Sequence, residues 1–296
     1  MSTLISEIAA EITRATGRRF LPAARTAVGG GCISSAAILE GQGARYFLKL
    51  NEPGRLAMFE AEAAGLRELA HADAIRVPQP VCTGTAGGHA FLVLEYLELG
   101  AAVASTGAEL GRGLARLHQV QGKEHGWHRN NTIGSTPQVN EPSPDWTEFW
   151  GTRRLGYQLE FAARNGYRGA LQQHGERLLG VLPALLRGHR PPPSLLHGDL
   201  WGGNHAADTL GRPVIFDPAV YFGDRETDLA MTELFGGFPR SFYEAYGEIL
   251  PLDEGYRMRR DLYNLYHILN HLNLFGIGYL TQAERMIASL LSEATA

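Results

Sequence analysis

His197-Gly198-Asp199-Leu200-Trp201-Gly202-Gly203-Asn204 follows the short apolar run Ser194-Leu195-Leu196, and Asp217 closes a second run, Val214-Ile215-Phe216, eighteen residues after Asp199. Taken singly, each acid is an ordinary turn residue, because Asp, Asn and Gly all favour turns. Two acids that each follow an apolar strand, with an amide five positions after the first, say something narrower. Gly202 and Gly203 let the loop fold back so that both its ends face one point. The Asn204 amide oxygen and the Asp217 carboxylate are hard donors of the kind Mg2+ prefers, and Mg2+ keeps its other positions for water and phosphate oxygens. Asp199 is then the carboxylate beside an acceptor hydroxyl. Phosphoryl transfer needs little else from a protein: a hydroxyl held in line, and cations that neutralise the phosphates.

The spacing His197-x-Asp199-x-x-x-x-Asn204 fits the H-x-D-x-x-x-x-N catalytic loop of kinases, and the segments upstream supply the parts such a loop requires. Tyr46-Phe47-Leu48-Lys49-Leu50 sets one lysine in an apolar strand, a costly placement unless it is paired. The helix expected over 56–71 offers Glu60 and Glu62. Glu62 is the preferred partner, since Phe59 occupies the apolar face and Glu60 points to solvent. A strand lysine on the α- and β-phosphates held by a helix glutamate is the kinase arrangement. Gly29-Gly30-Gly31 lies between two expected strands, where backbone N–H groups can approach phosphate oxygens. Glu95-Tyr96-Leu97 ends the strand 89–97, and its backbone is placed to meet an adenine edge.

With 296 residues, the chain is long enough for two lobes with separate cores. A net charge of −4 gives no reason to expect nucleic acid or an anionic membrane as a partner. No apolar run is long enough to span a bilayer, and Glu7 and Glu11 interrupt the N-terminal segment, which reads as an amphipathic helix rather than a signal peptide. Two cysteines, Cys32 and Cys82, make no disulfide framework, so a reducing cytoplasm is the expected setting. Strands are expected over 33–40 and 44–50, joined at Gly41-Gln42-Gly43, with the helix 56–71 stopped by Val77-Pro78-Gln79-Pro80. Beyond residue 100 the pattern turns helical. A long helix should open at Trp146, with Asp145 and Glu148 in capping-box spacing, and end at Asn165-Gly166. Further helices are expected over 171–186, kinked at Pro183, and around 228–235, 253–274 and 281–293. The fold class is α+β: a small antiparallel sheet lobe with one main helix (1–97, nucleotide-binding) before a larger helical lobe (98–296, catalytic), with the ligand in the cleft between them.

LLHGDLWGGN (195–204), FDPAVYFGDRETDLAMTELFGGF (216–238), LYNLYHILNHLNLFGIGY (262–279), MFEAEAAGL (58–66), VPQP (77–80), IGSTPQVN (133–140) and DWTEFW (145–150) together resemble the fructosamine kinase, or ketosamine-3-kinase, family within the protein-kinase-like and aminoglycoside-phosphotransferase group. The resemblance implies a two-lobed protein-kinase-like fold and an ATP- and Mg2+-dependent kinase acting on the 3-hydroxyl of free or protein-bound ketosamines. It implies Asp199 as catalytic base, Asn204 and Asp217 as magnesium ligands, Lys49 and Glu62 as the ion pair, and Glu95 to Leu97 as the hinge. Pro218-Ala219 follows Asp217 where protein kinases have Phe-Gly; the proline fixes φ, so no flip of that segment is expected. Trp201 should shape the sugar pocket or prop the loop. Asp224 and Arg225 should contact the substrate or fix their turn, and Asp228 should cap its helix or brace the catalytic loop. His197 is expected to brace the loop, and His267 and His271 to pack rather than bind metal. Cys32, if exposed, is open to oxidation. Two alternatives stay open: a kinase of aminoglycosides, choline-like amines or homoserine, and a non-catalytic nucleotide-binding protein.

Overall fold

The computed structural model describes residues 3–29 and 34–294. Its first part is a five-stranded antiparallel sheet, β1 (Ala24–Val28), β2 (Ser35–Gly41), β3 (Ala44–Asn51), β4 (Pro80–Ala86) and β5 (His89–Glu95), ordered β1-β2-β3-β5-β4. β2 and β3 meet through a two-residue turn in which Gln42 and Gly43 both take positive φ, 51° and 77°, the pairing that matches strand twist. Two helices cover the sheet, the N-terminal amphipathic helix and the main helix that the sequence leads one to expect. α1 (Thr3–Thr16) buries Ile5, Ile8 and Ile12 on the face that Leu39, Leu48, Phe91 and Val93 present. α2 (Leu56–His71) buries Phe59, Ala63, Leu66 and Leu69 against the opposite face, with Ala90, Leu92 and Leu94. Because strand side chains alternate, Lys49 lies on the α2 side of β3, between the α1-facing Leu48 and Leu50.

The chain leaves β5 at Glu95 and at once pairs β6 (Leu99–Gly100) with β10 (His205–Asp208) of the second part. There α3 (Thr106–His118), a small hairpin of β7 (Asn131–Ile133) and β8 (Thr136–Gln138), and the helices that follow build the main core. The helix opening at Trp146 is capped by Asp145, whose carboxylate accepts from the Glu148 N–H at 2.8 Å. Glu148 does not return the bond; its side chain meets Ser143 Oγ instead. After one turn, α4 (Trp146–Phe149), the helix widens over Trp150–Gly156 and resumes as α5 (Tyr157–Arg164). α6 (Ala170–Leu185) contains Pro183, and α7 (Glu226–Leu234), α8 (Arg240–Gly247), α9 (Tyr256–Phe275) and α10 (Leu280–Glu293) complete the fold. No helix among the described residues is long and apolar enough to cross a membrane.

Two pairings decide where the chemistry sits. β9 (Ser194–Leu196) runs into the His197–Asn204 loop, and β11 (Pro213–Ile215) runs into Asp217. β12 (Tyr221–Gly223) returns antiparallel to β9, and β10 pairs with β11 so that His205 faces Ile215. The two loops are therefore neighbours by construction, with Phe216 N donating to Asn204 O and Ala219 N to His197 O.

Candidate active site

Lys49 Nζ lies 2.6 Å from Glu62 Oε1 and 2.6 Å from Asp217 Oδ1. The glutamate side of that bridge comes from α2, as preferred over Glu60, which points outward near Arg129. Burial would lower the Lys49 pKa, but Asp217 and Glu62 outweigh it, so the ammonium stays charged well above its ordinary range. Burial pushes the Glu62 carboxyl up against the pull of Lys49. Asp217 holds a left-handed backbone, φ 57°, unusual for a residue other than glycine. Its side chain is 47% exposed.

Asn204 ties the two acids together. Its Nδ2 donates to Asp199 O at 2.8 Å, to Asp199 Oδ2 at 3.2 Å and to Asp217 O at 3.4 Å. With the amide nitrogen so committed, its oxygen is the atom left for a cation. A carboxylate and an amide oxygen from two adjoining loops are donors of the kind that a hard divalent ion such as Mg2+ takes. Asp199 is raised well above the usual carboxylate range by burial and by the Asp217 carboxylate, against the pull of Asn204, with Asp228 adding to the rise.

The loop under Asp199 is held by buried groups. Asp228 Oδ2 accepts from His197 N at 2.7 Å, and Asp228 Oδ1 from Gly198 N at 2.8 Å. His118 Nε2 also meets Asp228 Oδ2, and His118 Nδ1 meets Tyr246 Oη. Asp228 is thus the brace and not a helix cap. His197 braces as expected: Nε2 faces Phe216 O at 3.0 Å and Nδ1 accepts from Asp199 N, while burial pushes its pKa down.

Trp201 is 40% exposed at the loop rim. Its ring folds over Gly203 so closely that a Cβ there would come within 2.4 Å of the indole. Phe235 meets it edge-on at 6.3 Å, and His271 follows at 4.9 Å from Phe235. This aromatic shelf went unrecognised in the sequence, because its three members come from a loop and two separate helical regions. His271 Nδ1 faces His267 O, and burial pushes the His267 imidazole down to about 3.

Asp224 and Arg225 correct the expectation of substrate contact. Asp224 is buried, accepting from Tyr263 Oη at 2.5 Å and from Glu226 N, with His189 Nε2 at 2.6 Å. Arg225 donates to Tyr246 Oη and to the carbonyls of Leu250 and Pro251. Both side chains are spent on the fold. His189, Asp224 and Glu226 lie close enough to suggest a metal cluster, but Arg259 takes both oxygens of Glu226. At the end of β5, Glu95 N donates to Gln79 O and its carboxylate pairs with Arg76. Gly30, Gly31 and Cys32 lie outside the described residues. Burial pushes the Cys82 thiol up to about 11, which makes it a poor nucleophile.

Known proteins resemble this chain over nearly its whole length. A model of the fructosamine kinase family matches residues 4–293. A "probable ketoamine kinase" of Synechocystis sp. is 47% identical over 285 residues, 96% of each chain. A chloroplastic protein-ribulosamine 3-kinase of Arabidopsis thaliana is 44% identical over 267 residues, 89% of this chain and 81% of that one. Among solved structures, a "putative fructosamine-3-kinase" from Haemophilus somnus 129PT shares the fold with a TM-score of 0.90 at 29% identity, covering 98% of both chains.

Proposed function

This chain belongs to the fructosamine kinase family, and from its cleft geometry we propose that it transfers the terminal phosphoryl group of ATP to the 3-hydroxyl of a ketosamine. The observation that carries the reading is Lys49, bridged at 2.6 Å to both Glu62 and Asp217 and so joining the sheet lobe to the loop acids. In this reading residues 1–97 hold the nucleotide. Lys49 contacts its phosphates, Glu62 holds Lys49, and the Glu95–Leu97 backbone meets the adenine. Residues 98–296 hold the acceptor.

Asp217 and the Asn204 oxygen would hold Mg2+, which supplies charge neutralisation on the phosphates. Asp199 orients the acceptor hydroxyl and takes its proton as the new O–P bond forms and the bond to ADP breaks. Trp201, Phe235 and His271 offer the sugar an aromatic face built of rings set at angles to one another. That face is open at its outer edge, where Phe275 is 53% exposed, which leaves room for an amine carried on a protein. The Arabidopsis relative is named for such a substrate, and a protein-bound ribulosamine is the leading candidate here. A cytoplasmic setting suits this work and the chain's scarcity of cysteine.

The test is a phosphorylation assay with MgATP over ribulosamine, erythrulosamine and fructosamine, free and on protein lysines, with the phosphate position mapped by NMR. Asp199→Ala should abolish transfer and keep ATP binding. Near-wild-type turnover in that variant, or activity confined to aminoglycosides or choline-like amines, would refute the reading.

A further inference from the structure

We infer that the β7–β8 hairpin is a positioning device for Asp217, and that Gln138 and Asn131 set the affinity of the site for its divalent cation. The inference rests on the metal-holding role proposed for Asp217.

The segment after Asp217 makes its contacts in a fixed order. Gln138 Nε2 donates to Ala219 O at 3.1 Å, and Asn131 Nδ2 donates to Val220 O at 2.8 Å. These are the second and third carbonyls after the left-handed Asp217. The two amides are joined, with Gln138 Nε2 at 2.9 Å from Asn131 Oδ1. Asn140 Nδ2 meets the same oxygen at 2.8 Å. Tyr266 Oη closes the set by donating to Gln138 Oε1 at 2.8 Å. Behind the amides stands Arg154, fully buried, donating to Asn140 Oδ1 and Val139 O at 2.7 Å each. Its guanidinium lies 4.6 Å from the Phe149 ring and 4.1 Å from that of Tyr221. A buried arginine resting on carbonyls and ring faces is an expensive anchor, and what it anchors is the hairpin.

The opposite side of the same segment is equally committed. Ala219 N donates to His197 O at 2.8 Å, and Gly65 of α2, one turn beyond Glu62, packs on Val220 and Pro218. Residues 218–220 are therefore clamped between the catalytic loop, α2 and the hairpin. A residue held in left-handed backbone conformation persists only where its surroundings over-determine it. The hairpin amides supply the part of that restraint that no nucleotide or loop contact supplies.

Manganese serves as the probe. Mn2+ is titrated into ADP-saturated protein and followed by electron paramagnetic resonance, and metal-free ADP affinity is measured by calorimetry. Gln138→Met and Asn131→Leu keep side-chain volume and remove the donors. Each should weaken Mn2+ binding about tenfold while leaving metal-free ADP affinity and cooperative unfolding intact. A purely structural role would move both affinities or neither. Should the Gln138 variant fail to fold, Tyr266→Phe removes only the hydroxyl that fixes Gln138 and should weaken Mn2+ about threefold. Asp217→Asn separates the layers. Unchanged Mn2+ binding there refutes the metal reading itself. Loss there, with Mn2+ affinity within twofold of wild type in the folded hairpin variants, refutes the positioning role alone.

Discussion

Replacing Asp228 by Asn tests the brace beneath the catalytic loop, because the change removes one negative charge and almost no volume. The wild-type carboxylate accepts three bonds: from His197 N at 2.7 Å, Gly198 N at 2.8 Å and His118 Nε2 at 3.2 Å. An asparagine keeps one acceptor oxygen. If that oxygen stays with His197 and His118, the new amide nitrogen faces the Gly198 N–H, donor against donor. The orphaned N–H is buried, a loss of about 1–3 kcal/mol. The two surviving bonds fall from charge-assisted to neutral strength, a further loss of about 1 kcal/mol each. The sum is about 3–5 kcal/mol, read by urea unfolding. The loosened peptide is the one before Asp199, so kcat should fall at least tenfold while KM for ATP holds. The pH profile adds an independent readout. Burial alone would raise the Asp228 carboxyl, but His118, His197 and the loop amides bring it below its ordinary value. A carboxyl lowered in the folded state contributes stability above its unfolded pKa of about 3.9 and loses it as pH falls through the folded pKa. The wild type should therefore lose stability on acidification below about pH 4, and the Asn variant should lose less. Stability within about 1 kcal/mol of wild type, with an unchanged acid slope and kcat, would refute the brace.

Three further outcomes follow from local geometry. Gly198 takes φ +83°, and a Cβ there would lie 2.1 Å from the Ala219 carbonyl oxygen, so Gly198→Ala should cost about 3 kcal/mol or more in urea unfolding and silence the enzyme. Trp201→Ala should raise KM for the ketosamine about tenfold, near the value of one aromatic contact, and leave KM for ATP alone; steady-state kinetics decide it. Asp199 is disfavoured as a carboxylate by its own surroundings, so Asp199→Asn should unfold a few degrees later than wild type in calorimetry while being inactive, the trade-off expected of a catalytic group.

The site was more legible than the frame that holds it. Lys49, Asp199, Asn204 and Asp217 carry charge or amide chemistry at fixed offsets from apolar runs, and such offsets survive in one dimension. The helix Leu56–His71 was readable to the residue because its apolar positions recur at helical spacing. β1 was not, since four of its five residues are exposed and a strand without a buried face has no alternation to read. β4 carries Pro80 and Gly84, which read as turn residues, and α8 spans only eight residues. Asp224 and Arg225 misled because a charged turn near a catalytic loop looks identical whether it meets a ligand or a tyrosine. Tyr246, Tyr263 and His189, the partners that decide the matter, are 21 to 39 positions away. Gln138 stood in a quoted stretch and Asn131 just before it, but nothing local links a short polar hairpin to a carbonyl more than eighty residues later.

The charges around Lys49 explain why these parts must come together. Lys49 pairs with both Glu62 and Asp217, and Asp199 lies near enough to feel the Asp217 carboxylate, so three acids share this site with one lysine before a triphosphate arrives. Two unit charges about 4 Å apart interact by about 4 kcal/mol at the effective dielectric of a protein surface, so each phosphate oxygen entering unaccompanied meets a barrier of that order. The Lys49–Asp217 pair relieves this in the free protein. It must also open if Asp217 is to serve a divalent cation and Lys49 the phosphates. Lys49 can make that exchange without losing its place, because Glu62 holds it from the other side. Glu62→Gln should accordingly leave Lys49 to settle on Asp217, and weaken binding of MgADP more than of metal-free ADP. Equal loss of the two in calorimetry would show that Glu62 serves the nucleotide alone.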